Sequence, residues 1–288
     1  MNSAAPSGSV PERPLERNER TGVLNPQNLE RYGARWFEPS PGLAAVVERY
    51  WHVRWHLPPG EVIAQRIIDS PAITLSIETG AVPAPLVVTG PQQRAWMREI
   101  RDTGSAFGIR LRPAGLPMLG GLTPQQVTDR TLPVTPQLDA ALHALLAEIA
   151  EAGTPEETAA TADAAIARRL DGRTPPADLL LANDVVDELT RRVHARAGAG
   201  FADRFGASER SVQRALQATL GKGPKWVSRR IRLQEIARIL DFEPEVDLAA
   251  LAADLGYTDQ AHLTRDFRDV AGLTPGAYRR SLRALVRE

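Results

Sequence analysis

The chain is 288 residues long, 43% hydrophobic and without cysteine, with 35 Lys+Arg balanced by 35 Asp+Glu. That length suggests two domains with ample buried core, and the missing cysteine excludes disulfides, thiolate metal sites and cysteine nucleophiles. No apolar run approaches the roughly 18 residues a membrane span requires, so a cytoplasmic chain with no membrane partner is expected.

The first stretch, MNSAAPSGSVPERPLERNER, lacks the apolar h-region of a signal peptide. Its Pro, Ser, Glu and Arg content predicts a disordered tail over residues 1–25. Residues 26–135 read as a β-rich sensory or dimerisation domain. VVERYWHVRWHL (Val46–Leu57) alternates Trp51, Val53, Trp55 and Leu57 with His52, Arg54 and His56, the period of a strand. EVIAQRII, AITLSIET, PLVVT and AFGIRLRP are further strand-like runs, most of them separated by Pro or Gly. Short strands so punctuated predict a small barrel or sandwich.

Two side-chain sets on the first of these strands bear on chemistry. His52 and His56 share a face, with Glu61, Asp69 and Glu78 as the nearest carboxylates. A metal site needs three or four converging ligands, so neither a metal nor any other cofactor is expected. Trp51 and Trp55 admit two readings, as core or as the wall of an effector pocket.

A helical middle, residues 136–176, is read as connecting helices and a linker. Gln137–Ala150 sets Leu138, Leu142, Leu145 and Ile149 on one stripe. Thr154, Pro155 and Glu157 make a capping-box start for a helix reaching Leu170, and DGRTPP breaks it.

From Ala177 to residue 288 the chain reads as helical and repeats itself. FADRFG (Phe201–Gly206) corresponds to LAADLG (Leu251–Gly256), and GKGP (Gly221–Pro224) to GLTP (Gly272–Pro275). Each half is a short helix, a glycine turn and a second helix, with Ser208 and Asp259 as N-caps. That is helix-turn-helix grammar. The charge is also uneven: from Arg191 to Arg238 twelve Arg/Lys stand against three acids, whereas Ile239–Val270 has eight acids against two Arg. A basic block in a neutral chain fits a polyanion partner.

Projected at 100° per residue, each second helix has a buried and an outward side. Val212, Ala215, Leu216 and Thr219 bury in the first, and Leu263, Phe267 and Val270 in the second. Outward stand Arg210, Arg214 and Gln217 with Ser211 and Gln213 flanking, then Ala261, Arg265 and Arg268 with His262 and Thr264 flanking. Arg can bridge O6 and N7 of guanine, and Gln the N6 and N7 of adenine. Arg229, Arg230 and Arg232 on the intervening helix and Lys222 and Lys225 at its start, with Arg268, are candidate phosphate contacts.

At this point Ala177–Arg283 resembles the C-terminal DNA-binding domain of AraC/XylS-family transcription regulators. LAADLGYTDQAHLTRDFRDVAGLTPGAYRR carries the likeness through Gly256, Leu263, Phe267, Gly272, Pro275 and Tyr278. GASERSVQRALQATLGKGPKWVSRRIRLQEIARIL looks like the family's first motif and linker helix. The resemblance implies two helix-turn-helix units. Its base-reading positions fall here on Arg210, Gln213 and Arg214, and on Gln260, Ala261, His262, Thr264 and Arg265. In the family the amino-terminal domain binds a small effector or mediates dimerisation, and ERYWHVRW, VVTGPQQ and GIRLRPAG give the N-terminal region a similar look. The segment from His194 to Phe201 is shorter than is common there, and Asp254, Asp259, Asp266 and Asp269 make the second unit acidic.

The expected fold is α+β: a β-rich N-terminal barrel or sandwich, then helices, then an all-α C-terminal domain of two helix-turn-helix motifs joined by a linker helix. The expected function is sequence-specific DNA binding and transcription regulation, with duplex DNA as partner and an unidentified small-molecule effector, RNA polymerase and a second copy of the chain as further candidates. An enzyme is not expected: alkyltransferases bearing this domain need a cysteine, and a cupin-like metalloenzyme fails on ligand count. A helical module that binds only protein is opposed by the basic first unit.

Overall fold

The computed structural model describes residues 22–194 and 207–285. Residues 1–21 of the expected tail, and FADRFG, fall outside them. Eight strands occur among the described residues: β1 (Tyr32–Phe37), β2 (Val47–His56), β3 (Val62–Ile67), β4 (Ile73–Gly80), β5 (Leu86–Thr89), β6 (Trp96–Arg101), β7 (Thr103–Leu111) and β8 (Thr131–Pro133). Six form an antiparallel sheet in the order β1-β2-β7-β4-β5-β8, and β3 pairs with β6 in a second sheet.

The period of two decides what each face does. Tyr50, Leu75, Ile77, Phe107 and Ile109 point to one side of the large sheet and join a core with the helices. Trp51, Val53, Trp55, Thr74, Ser76 and Glu78 point to the other, where they wall a cavity closed by β3 and β6. Gly108 and Gly104 stand opposite Trp51 and Trp55 on β7. A methyl group at either would come within 2.0 Å and 2.4 Å of those indoles, so the glycines give the rings room to lie on the sheet.

After β7 come α1 (Gly115–Leu119), α2 (Pro124–Val127), α3 (Pro136–Ala150) and α4 (Pro155–Leu170). The capping box at α4 is formed: Glu157 N–H donates to Thr154 Oγ1 at 3.2 Å, and Thr154 N–H to Glu157 Oε2 at 2.9 Å. Leu142, Leu145, Leu146, Ile149, Ala162 and Ile166 share one core with the large sheet. These two helices therefore complete the β-domain; amphipathic stripes alone could not say against what they pack.

The C-terminal half holds α5 (Ala177–His194), α6 (Glu209–Leu220), α7 (Pro224–Phe242), α8 (Leu248–Asp254), α9 (Gln260–Ala271) and α10 (Pro275–Leu285). One core unites α5, α6 and the start of α7; another unites the rest of α7 with α8, α9 and α10. Leu24 and Ile68 of the N-terminal half are built into the second. Leu24, expected in the tail, is 3% exposed, and Val23 bridges Ile67.

Candidate nucleic-acid interface

The two recognition-type helices, α6 and α9, share their length, their caps and their apolar register. Each has 12 residues. Ser208 Oγ accepts from Ser211 N–H at 3.2 Å, and Asp259 Oδ1 from His262 N–H at 2.7 Å, so both N-termini are capped. Gly221 (φ 67°) and Gly272 (φ 74°) end them in the left-handed conformation. Val212 and Leu216 bury in α6 where Leu263 and Phe267 bury in α9. The first helix of the first unit would involve residues outside the described set; in the second unit α8 and Gly256 (φ 74°) make the expected turn.

Arg210, Gln213, Arg214 and Gln217 stand exposed on α6. Gln260, Ala261, His262, Arg265 and Arg268 stand exposed on α9, and Thr264 is half-buried. The His262 ring meets the Tyr257 ring edge-on at 5.2 Å. Base-edge candidates and surface thus coincide in both helices.

The phosphate candidates divide differently. Lys225 and Arg268 are exposed. Arg230 is 2% exposed, which takes it off the outward face: its Nη2 lies 3.0 Å from Asp69 Oδ1 and donates to the carbonyls of Gln92 and Arg94. Lys222 is held by Asp129 at 2.8 Å and lies over the Trp226 ring. Arg229 Nε donates to Asp266 Oδ1 at 2.6 Å, while Tyr257 donates its hydroxyl to Asp266 Oδ2 at 2.8 Å. Arg232 covers the Tyr257 ring at 4.9 Å. Asp266, one of the acids that make the second unit acidic, is therefore an internal brace.

Contacts across the two halves converge on the C-terminal ends of the recognition helices. Last-turn carbonyls have no partner within a helix. Gln125 Nε2 donates to Gln217 O at 2.9 Å, and Thr128 Oγ1 lies 3.4 Å from Leu220 O. Ala95 N–H donates to Val270 O at 2.9 Å, and Arg66 Nη1 to Ala271 O at 3.0 Å. The β-domain thus caps both helices at the end away from Arg210 and Gln260, and the arginine suits the negative pole of α9. No sequence pattern announces these four residues, because their partners are remote in the chain.

The cavity of about 420 Å³ adjoins the same contacts. Ile67 and Trp96 line it beside the capping residues Arg66 and Ala95, and Thr131, Leu132 and Pro133 line it close after Thr128. Trp51 and Trp55 are both in its wall; Trp55 Nε1 donates to Arg101 O at 3.2 Å. Burial pushes the Glu78 carboxyl up although Arg98 pairs with it at 2.7 Å. His52 and His56 lie off this wall, and His56 Nδ1 is 2.6 Å from Thr103 Oγ1. Among the described residues no group of three potential ligands could hold a metal ion, and no helix is long and apolar enough to cross a membrane.

Residues 201–281 match the model of a helix-turn-helix domain of the AraC type. The C-terminal part of the chain therefore carries a helix-turn-helix domain. That domain supports a DNA-binding transcription regulator. Residues 35–133 match a second model, described as a domain of unknown function. No curated protein matches the chain. Similar solved structures include apo ToxT from Vibrio cholerae strain SCE256, at 9% identity over 81% of this chain and 97% of that one, with a TM-score of 0.40. Another is ToxT from Vibrio cholerae O395, at 11% identity over 88% of this chain and 98% of that one, with a TM-score of 0.38.

Proposed function

We propose that α6 and α9 lay their exposed faces in the major groove and that the β-domain governs how well they do so. Arg210, Gln213, Arg214 and Gln217 read base edges from α6; Gln260, His262, Thr264 and Arg265 read them from α9. Lys225 and Arg268 contact phosphates. The working units are the β-domain at 26–135, the helices at 136–176 that complete its core, and the reading domain at 177–288. An effector in the cavity acts on the DNA grip. Action at promoters in the cytoplasm, beside RNA polymerase and as a homodimer, belongs to the same reading.

The observation that carries this reading is the capping of both recognition helices by segments that adjoin the cavity wall. A shift in that wall is felt at two helix ends at once, so it changes their spacing, on which simultaneous reading of two groove segments depends. Selection of bound fragments from the source genome with purified protein tests it. A shared two-part motif is expected, with affinity falling steeply between 50 and 200 mM salt. Enrichment of no motif, or salt-independent binding, would refute the reading.

A further inference from the structure

A side chain that reads a base edge works best when it is already aimed, because immobilising a mobile one weakens binding. His262 is exposed on the first turn of α9. Its backbone N–H is fixed by Asp259, but among the described residues neither ring nitrogen has a hydrogen-bond partner. Its ring instead meets the Tyr257 ring, with 5.2 Å between centres and 89° between planes. That is the edge-to-face arrangement aromatic pairs favour. Such a contact fixes the direction of a ring without a hydrogen bond to its nitrogens, and a groove-facing imidazole needs those as donor and acceptor. Tyr257 is itself tied down. It is 6% exposed and follows Gly256 (φ 74°) in the turn. Its N–H donates to Ala252 O at 2.8 Å, and its hydroxyl to Asp266 Oδ2 at 2.8 Å. The Arg232 guanidinium lies over its ring, 4.9 Å from the centre. Asp266 is held in turn by Arg229. An apolar core asks only for bulk at this position, which leucine would supply. A tyrosine tied at backbone, ring and hydroxyl supplies a direction as well.

We propose that Tyr257 is a positioning residue for base reading: tied to Asp266 and Arg232, its ring holds the exposed imidazole of His262 in one orientation before DNA arrives. This rests on the reading of α9 as a groove-reading helix and adds what sets the specificity of His262. Arg232, a phosphate candidate by sequence, then serves specificity through Tyr257.

Binding of the full chain to a selected DNA site and to the single-base variants of that site tests it. His262→Ala identifies the base pair that His262 reads. Tyr257→Leu is expected to lower discrimination at that pair roughly threefold to tenfold, the cost of a side chain no longer held. Discrimination at the other pairs and the salt slope should stay as they were. Tyr257→Phe, which keeps the ring, should retain the discrimination that Tyr257→Leu loses. In the His262→Ala background, Tyr257→Leu should shift no preference further. A uniform loss at all pairs, or the same shift with and without His262, overturns the proposal. Should Tyr257→Leu fail to fold, the wild type still decides. Nuclear magnetic resonance of the DNA-free chain with isotope-labelled histidine should show a single side-chain rotamer for His262 and cross-relaxation to the Tyr257 ring, the signal being assigned by its loss in His262→Ala. Averaging over rotamers overturns the proposal. The two readings also fail differently. If His262→Ala alters no base preference, base reading by His262 falls and this inference with it. If His262→Ala does so and Tyr257→Leu does not, only this inference falls.

Discussion

Asp69 in the cavity wall and Arg230 on the helix between the two recognition helices form an ion pair at 3.0 Å, with the arginine 2% exposed. A buried pair is worth little against an apolar replacement but is costly to break on one side. The two sides differ here. Without Asp69 the guanidinium still donates to the carbonyls of Gln92 and Arg94; without Arg230 the carboxylate and both carbonyls lose their partner. Arg230→Met is expected to cost about 3–5 kcal/mol and Asp69→Asn clearly less. Urea unfolding of the full chain measures both; equal costs would mean that the carbonyl contacts do not hold the arginine.

The same carboxyl carries a pH dependence. Burial pushes Asp69 up to about 6, against the opposing pull of Arg230 and Arg110. In the unfolded chain it titrates near 3.9. The folded state therefore binds the proton more tightly. Its contribution to stability is fully present below about 4 and is lost as the pH rises through about 6. Between pH 7.5 and 4.5 the wild type should gain stability relative to Asp69→Asn, by at most about 3 kcal/mol. Unfolding of both proteins across that window reads the difference directly, and a flat difference would place the carboxyl near its ordinary range.

What the sequence disclosed and what it hid follow one rule. The recognition helices were legible because Ser208 and Asp259, Gly221 and Gly272, and the apolar pairs act within a few residues of one another. β2, β4 and β7 were legible by their alternation. β6 was not, because WMREIR places Arg98 on its inward side and spoils the apolar period. β8 has only three residues, too few for a period. Arg230 and Lys222 looked like surface cations because their partners, Asp69 and Asp129, come from the other half of the chain.

Arg214 and Arg265 occupy equivalent exposed positions on α6 and α9. Arg214→Ala and Arg265→Ala should each relax preference at one base position, with a loss of roughly 1–3 kcal/mol of discrimination. Lys225→Ala should instead weaken all sequences alike and lower the salt slope by about one. Titration of a selected site and its single-base variants at several salt concentrations distinguishes the two patterns. An arginine variant that weakens every sequence equally is a phosphate contact.

Arg229 is expected to behave unlike Lys225 although both lie on α7. Its bond to Asp266, which Tyr257 also holds, ties α7 to α9 within the second unit. Loss of a charge-assisted bond of this kind costs about 1–3 kcal/mol. Arg229→Ala should lower the unfolding midpoint and leave the salt slope of DNA binding as it was. A lowered slope with unchanged stability would return Arg229 to the phosphates.

Gly108 is the last point at which one atom decides the shape of the cavity. It sits opposite Trp51 in the middle of β7, and a Cβ there would lie 2.0 Å from the indole. Its backbone is not left-handed, so the penalty is purely one of space. The indole has only the cavity to move into. Gly108→Ala should therefore cost about 1–3 kcal/mol as an overpacked site, whereas Gly42→Ala, with nothing within 4 Å, should change little. The steric cause has its own signature. Trp51→Ala should be less costly in the Gly108→Ala background than in the wild type, because the clash is then already relieved. Additive losses in that double-mutant cycle would show that the glycine serves the strand and not the ring.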